Sequence, residues 1–147
     1  MKLWRQHPYL TVILVTLGLI VVGQVFDLLT KPDTTPVMIV AADRYIEETR
    51  KDQPPLTFYQ DGCTLFPDKI LGHDFRSACF AHDIRYWAGG SEAERKAADR
   101  ALATEIKTTG SLGPVFAPLM FVGVRMFGDS FVTKAVGAHW GYGWRDE

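Results

Sequence analysis

The sequence predicts a mostly α-helical protein built on an antiparallel pair of helices, with one loop-to-helix disulfide and an N-terminal transmembrane helix. Three observations predict it. Two amphipathic segments, Phe75 to Ala88 and Glu92 to Lys107, flank a Gly89-Gly90-Ser91 bend. The chain carries a single pair of cysteines. An uncharged apolar run from Pro8 to Phe26 lies near its start.

The helix pair follows from local chemistry. Ser91-Glu92-Ala93-Glu94 is a capping box, in which the Ser91 hydroxyl accepts from the Glu94 amide and the Glu94 carboxylate accepts from the Ser91 amide. On the helix that starts there, Arg95, Asp99, Leu102 and Ile106 share one stripe. On the preceding helix Phe75, Ala78, Cys79, His82 and Tyr86 form the facing stripe. His82 and Asp99 sit at similar distances from the bend, about 10 to 14 Å at helical rise, so imidazole, phenol and carboxylate can meet. A buried carboxylate needs such partners. Asp83 projects about 100° away from His82, toward whatever covers that edge of the helix.

Cys63 and Cys79 are sixteen residues apart, and an even pair in an exported chain reads as one disulfide. The bridge would place Asp61-Gly62-Cys63-Thr64 beside Asp83, where Asp61, Asp83 and backbone carbonyls make a hard oxygen site suited to calcium. Zinc is the alternative: Cys63, Cys79 and His82, with His73 or Asp99 as a fourth ligand. His139, among small and aromatic residues, reads as a packed histidine.

The run Cys79-Phe80-Ala81-His82-Asp83-Ile84-Arg85-Tyr86, with Asp99 on the antiparallel helix and Asp61 two residues before the loop cysteine, resembles the secreted phospholipases A2. The resemblance is closer to their compact bacterial and fungal branch and covers roughly Asp61 to Lys107. It implies His82 as the catalytic base, Asp99 as the aspartate that orients it, and Tyr86 as the tyrosine that hydrogen-bonds that aspartate. It also implies Asp83, Asp61 and the carbonyl of Gly62 as calcium ligands, and a Cys63–Cys79 bridge from calcium loop to helix. Two departures separate the chain from the animal enzymes: Thr64-Leu65-Phe66-Pro67 stands in place of a glycine-rich turn, and Arg85 in place of a cysteine. The activity implied is calcium-dependent hydrolysis of the sn-2 ester of glycerophospholipids by water activated at His82. The alternative is a membrane-tethered scaffold of the same type that binds a partner protein or lipid without turnover.

The Pro8–Phe26 run is nineteen residues long, about 28 Å as a helix and close to the thickness of a bilayer core. Lys2 and Arg5 precede it, while Asp27, Lys31 and Asp33 beyond it nearly cancel. The expected topology is single-pass, with the N-terminus in the cytoplasm and the domain on the extracytoplasmic side. A cleaved signal peptide and a secreted domain is the competing reading. Val21-Val22-Gly23 is a poor small-x-small cleavage pattern, which favours a retained signal anchor.

The chain divides into a signal anchor over 1–30, a linker and short helix over 31–55, and the enzyme-like domain with an apolar C-terminal extension over 56–147. In the middle part Val37, Val40, Ala41 and Tyr45 form the apolar face of a helix running from Val37 to Arg50. Pro54 and Pro55 prevent its continuation. Val115 to Phe127 is an apolar helix too short to span comfortably. It is expected to cover the helix pair and either to line an acyl channel with Phe58, Phe66, Leu71 and Phe75 or to serve core packing alone, which has the same apolar pattern. The tail Trp140-Gly141-Tyr142-Gly143-Trp144 either seats its rings at a membrane interface or packs on the domain.

The chain has 16 Lys and Arg against 17 Asp and Glu. Setting aside Lys2, Arg5 and Asp27 leaves 14 against 16 beyond the anchor, so no basic footprint for nucleic acid is present. The expected partner is a phospholipid membrane, contacted through the tether and apolar side chains. A protein partner at the C-terminal apolar and aromatic segment is the other expectation.

Overall fold

In this computed structural model, residues 34–64, 66–135 and 137–144 are described, the side chain of Val132 excepted. The expected anchor over 1–30 lies outside them. Among the described residues no helix is long and apolar enough to cross a membrane.

The architecture is mostly helical: α1 (Pro36–Thr49), a two-stranded antiparallel sheet of β1 (Lys69–Ile70) and β2 (His73–Asp74), α2 (Arg76–Ala88), α3 (Glu92–Lys107), α4 (Gly113–Phe127) and α5 (Phe131–Ala135). Helix α1 opens on Pro36, whose missing amide costs nothing in a first turn, and ends at Arg50 in the left-handed conformation. Its buried side is Ala42 and Ile46, with Met38, Ala41 and Tyr45 partly covered. This corrects the expected face: Val37 and Val40 are exposed, because α1 meets α2 through the neighbouring stripe.

Helices α2 and α3 form the predicted antiparallel hairpin. The Ser91–Glu94 capping box is present in both directions. The predicted stripe residues are buried: Ala78, Cys79, His82 and Tyr86 on α2, Asp99, Leu102 and Ile106 on α3. Two apolar clusters flank the hairpin. One joins α1 and the tail to α2 through Ala42, Phe58, Trp87 and Tyr142. The other joins the loop cysteine and α4 to both hairpin helices through Phe75, Leu102, Ile106 and Met120.

The disulfide Cys63–Cys79 spans 5.1 Å between Cα atoms and ties the 51–67 loop to the second turn of α2. Those thiols are therefore not available to zinc, and the zinc alternative falls with them. The aromatic tail packs on the domain. The indoles of Trp140 and Trp144 donate to the carbonyls of Gly90 and Ala88 at 3.0 Å each, and the Tyr142 hydroxyl donates to the carbonyl of Tyr59 at 2.6 Å. These bonds seat the tail over the α2–α3 bend and satisfy backbone acceptors there.

Candidate active site

The hairpin brings His82 and Asp99 together. His82 Nε2 is 3.0 Å from Asp99 Oδ1, and the Tyr86 hydroxyl donates to the same oxygen at 2.8 Å. The second oxygen, Oδ2, accepts from Arg125 Nη1 at 2.9 Å. Asp99 is fully buried. Burial pushes its carboxyl up, but the hydrogen bonds from His82, Arg125 and Tyr86 outweigh that and hold it below the ordinary carboxylate range. An ionised Asp99 can only accept, so a neutral His82 carries its proton on Nε2 and keeps the lone pair on Nδ1. The Tyr86 and His82 ring centres are 4.1 Å apart. Burial, then the Asp99 charge, raises the Tyr86 phenol above its usual value, so it stays a proton donor.

On the other edge of α2, Asp83 meets the loop. Asp83 is buried, and its Oδ2 accepts from the Asp61 amide at 3.3 Å. Burial, the charge of Asp61 and the charge of Asp68 together push Asp83 well above its usual value. The Thr64 hydroxyl donates to Asp61 Oδ2, and the Cys63 amide donates to Asp68 Oδ1 at 2.8 Å. Gly62 turns the loop in the left-handed region at φ 74°, and a Cβ there would lie 2.8 Å from Asp68 Oδ1. Among the described residues no group of three or more His, Cys, Asp or Glu is arranged to hold a metal. Buried Asp83 and half-buried Asp61, which repel one another across the α2 edge and the Gly62 turn, do fit a hard divalent cation in charge and donor type, the remaining oxygens being carbonyl or water.

His82 and Asp83 open onto one cavity of about 370 Å³. Asp61, Gly62 and Tyr142 line its polar end, and α4 supplies much of its apolar wall, including Leu119, Met120 and Val124. The expected acyl-channel residues divide. Phe66 lines the cavity, but Phe58 packs edge-on against Phe80 and Trp87 in the first cluster. Phe75 is buried in the second cluster and Leu71 is 84 % exposed at the β-turn. Core and channel make the same demand for apolar side chains, so composition could not separate them.

No family model, curated protein or solved structure matches the chain.

Sequence reasoning missed Arg125. It is the one charged residue of α4, and besides Asp99 its guanidinium reaches Glu92 through Nη2. The signal was a lone cation inside an apolar helix, which calls for a buried acid as partner. His139 is buried, as expected of a packed histidine. His73 lies in β2, with its ring beside Gly110.

Proposed function

We propose that this protein is a calcium-dependent hydrolase of the sn-2 ester of glycerophospholipids, anchored by its N-terminal segment with the domain on the extracytoplasmic side. The observation that carries this reading is the buried His82–Asp99 pair, whose imidazole lines a mostly apolar cavity. A base at the bottom of an apolar slot suits an ester whose acyl chain must leave water.

In this reading Nδ1 of neutral His82 takes a proton from a water molecule as the water oxygen attacks the ester carbonyl. Asp99 holds the Nε2–H tautomer and stabilises the imidazolium that forms. The proton then passes to the departing alkoxide as the ester C–O bond breaks, giving a free fatty acid and a lysophospholipid. The residues that would hold calcium are Asp61, Asp83 and the backbone at Gly62. When bound, calcium supplies positive charge to the substrate phosphate and to the developing negative charge on the carbonyl oxygen. The α4 wall accommodates the chain, and Tyr86 keeps Asp99 in place.

The outer side of α4 supports a lipid partner. Val115, Leu119, Val122 and Met126 recur at helical spacing and are all more than half exposed, and the last three also line the cavity. A chain leaving a bilayer there would stay in apolar contact from surface to site. The same stripe favours the second reading, a scaffold that holds a protein partner without turnover.

The test is fatty-acid release from mixed phospholipid micelles by the full chain, with calcium and with chelator, beside His82→Ala. Calcium-dependent release that disappears in the variant supports the enzyme. Absence of release from folded, disulfide-bonded protein over a range of lipids would favour the scaffold.

A further inference from the structure

Asp99, on α3, is held from two other helices. Its Oδ1 takes His82 and Tyr86 from α2, and its Oδ2 takes Arg125 from α4. With partners on one oxygen only, the carboxylate plane could turn about its last torsion and carry the imidazole with it. The guanidinium closes that freedom because its own plane is fixed at a second point by Glu92, in the first turn of α3. The backbone behind it is fixed as well: Arg95 Nη2 donates to the Arg125 carbonyl at 3.2 Å, tying the last turn of α4 to α3.

The helix that contributes Arg125 is also the helix that walls the cavity. We propose that Arg125 is a positioning residue: it orders Asp99, and through it His82, so that the base is fully set only when α4 is seated against α3 and the substrate cavity is formed. The role in turnover rests on the ester-hydrolase reading above; the ordering of the imidazole does not. Arg125 is the one charged residue of α4, it is half-buried, and both arms of its guanidinium end on carboxylates of α3.

The experiment uses the full chain in mixed micelles with calcium and compares wild type with Arg125→Gln, Arg125→Lys and Glu92→Gln. Two quantities are read: kcat and KM for ester hydrolysis, and the long-range proton–nitrogen NMR signals of the His82 ring at a pH where imidazole is neutral. Those signals are assigned among the four histidines by their loss in His82→Ala. Wild type should show a single Nε2–H tautomer. Arg125→Gln should show mixed tautomers and lose about tenfold or more in kcat, with KM within about twofold. Arg125→Lys should recover part of both, since an ammonium reaches one acceptor well but does not bridge two as a planar fork does. Glu92→Gln, at an exposed site, should fold normally and give a smaller change of the same kind.

A wild-type tautomer signature together with wild-type kcat in Arg125→Gln would overturn the proposal. Where that variant does not fold, unchanged signature and unchanged kcat in both Arg125→Lys and Glu92→Gln would overturn it equally. A wild-type protein without turnover defeats the hydrolase reading alone, because the NMR comparison still decides whether Arg125 orders His82.

Discussion

The Asp61 amide donates to the Asp83 carboxylate at 3.3 Å, so the fold itself holds two acids side by side. Burial and the neighbouring charges of Asp61 and Asp68 oppose ionisation of Asp83, and a divalent cation would relieve that opposition. Calcium is therefore expected to raise the thermal midpoint over chelator. At a hundredfold excess over its dissociation constant a ligand adds about 2.7 kcal/mol, on the order of 10 °C for a domain of this size. Asp83→Asn should lose the response while keeping its midpoint in chelator. Equal midpoints with calcium and chelator in the wild type would remove the cation from the reading.

The Tyr86 hydroxyl offers a second test, one that does not touch the base. Tyr86→Phe removes the hydroxyl donor of Asp99 and leaves Arg125 and His82 in place. A hydrogen bond to a charged group contributes about 1.5 to 3 kcal/mol, so kcat is expected to fall by roughly ten- to a hundredfold and less than in His82→Ala. Gly128 backs the same phenol, and a Cβ there would overlap Tyr86 Oη. Gly128→Ala should displace the ring, lower kcat as Tyr86→Phe does and cost about 1 to 3 kcal/mol of stability. Activity at the wild-type level in both variants would show that the tyrosine is not needed to hold Asp99.

The hairpin was legible because its signals are local. The capping box lies within four residues, and the stripes of α2 and α3 repeat at helical spacing, so the sequence alone places His82, Tyr86 and Asp99 on facing sides. Arg125 was not legible as a partner of Asp99: the two are 26 residues apart, and no local rule states which face α4 turns toward α3. The expected channel failed in part for a related reason, since Phe58 and Phe75 satisfy an apolar pattern equally well in the core. The β1–β2 turn was also missed. Its strands have two residues each and it carries Leu71 at φ 49°, a conformation that side-chain patterning does not announce.

Asp99 also predicts a pH dependence of stability. Its folded pKa lies below its unfolded value of about 3.9. The ionised form is therefore stabilised by folding above that value, and the contribution is lost as pH falls through the folded pKa. Urea midpoints measured from neutral pH downward should show wild type ahead of Asp99→Asn at neutral pH, by about 3 kcal/mol for loss of a buried paired charge. The gap should narrow below pH 4. A gap that stays constant or widens on acidification would contradict the assignment of Asp99 as a paired carboxylate.

The Cys63–Cys79 bridge has a separable effect on the loop and on the helix pair. It closes a loop of sixteen residues, for which loss of chain entropy in the unfolded state gives about 3 kcal/mol of stabilisation. The α2–α3 hairpin has its own capping box and its own buried stripe, so Cys63→Ala/Cys79→Ala should keep its helical signal at 25 °C with a lowered urea midpoint. The Asp61–Thr64 stretch of the loop has no such helical framework: the bridge is joined there by the Asp61 amide on Asp83, the Cys63 amide on Asp68 and the Thr64 hydroxyl on Asp61. Calcium stabilisation should therefore weaken more than the His82–Asp99 contact does, and the NMR signature of the His82 ring should persist in the double variant. Loss of that signature with calcium stabilisation retained would reverse the assignment, making the bridge a support of the dyad and not of the loop.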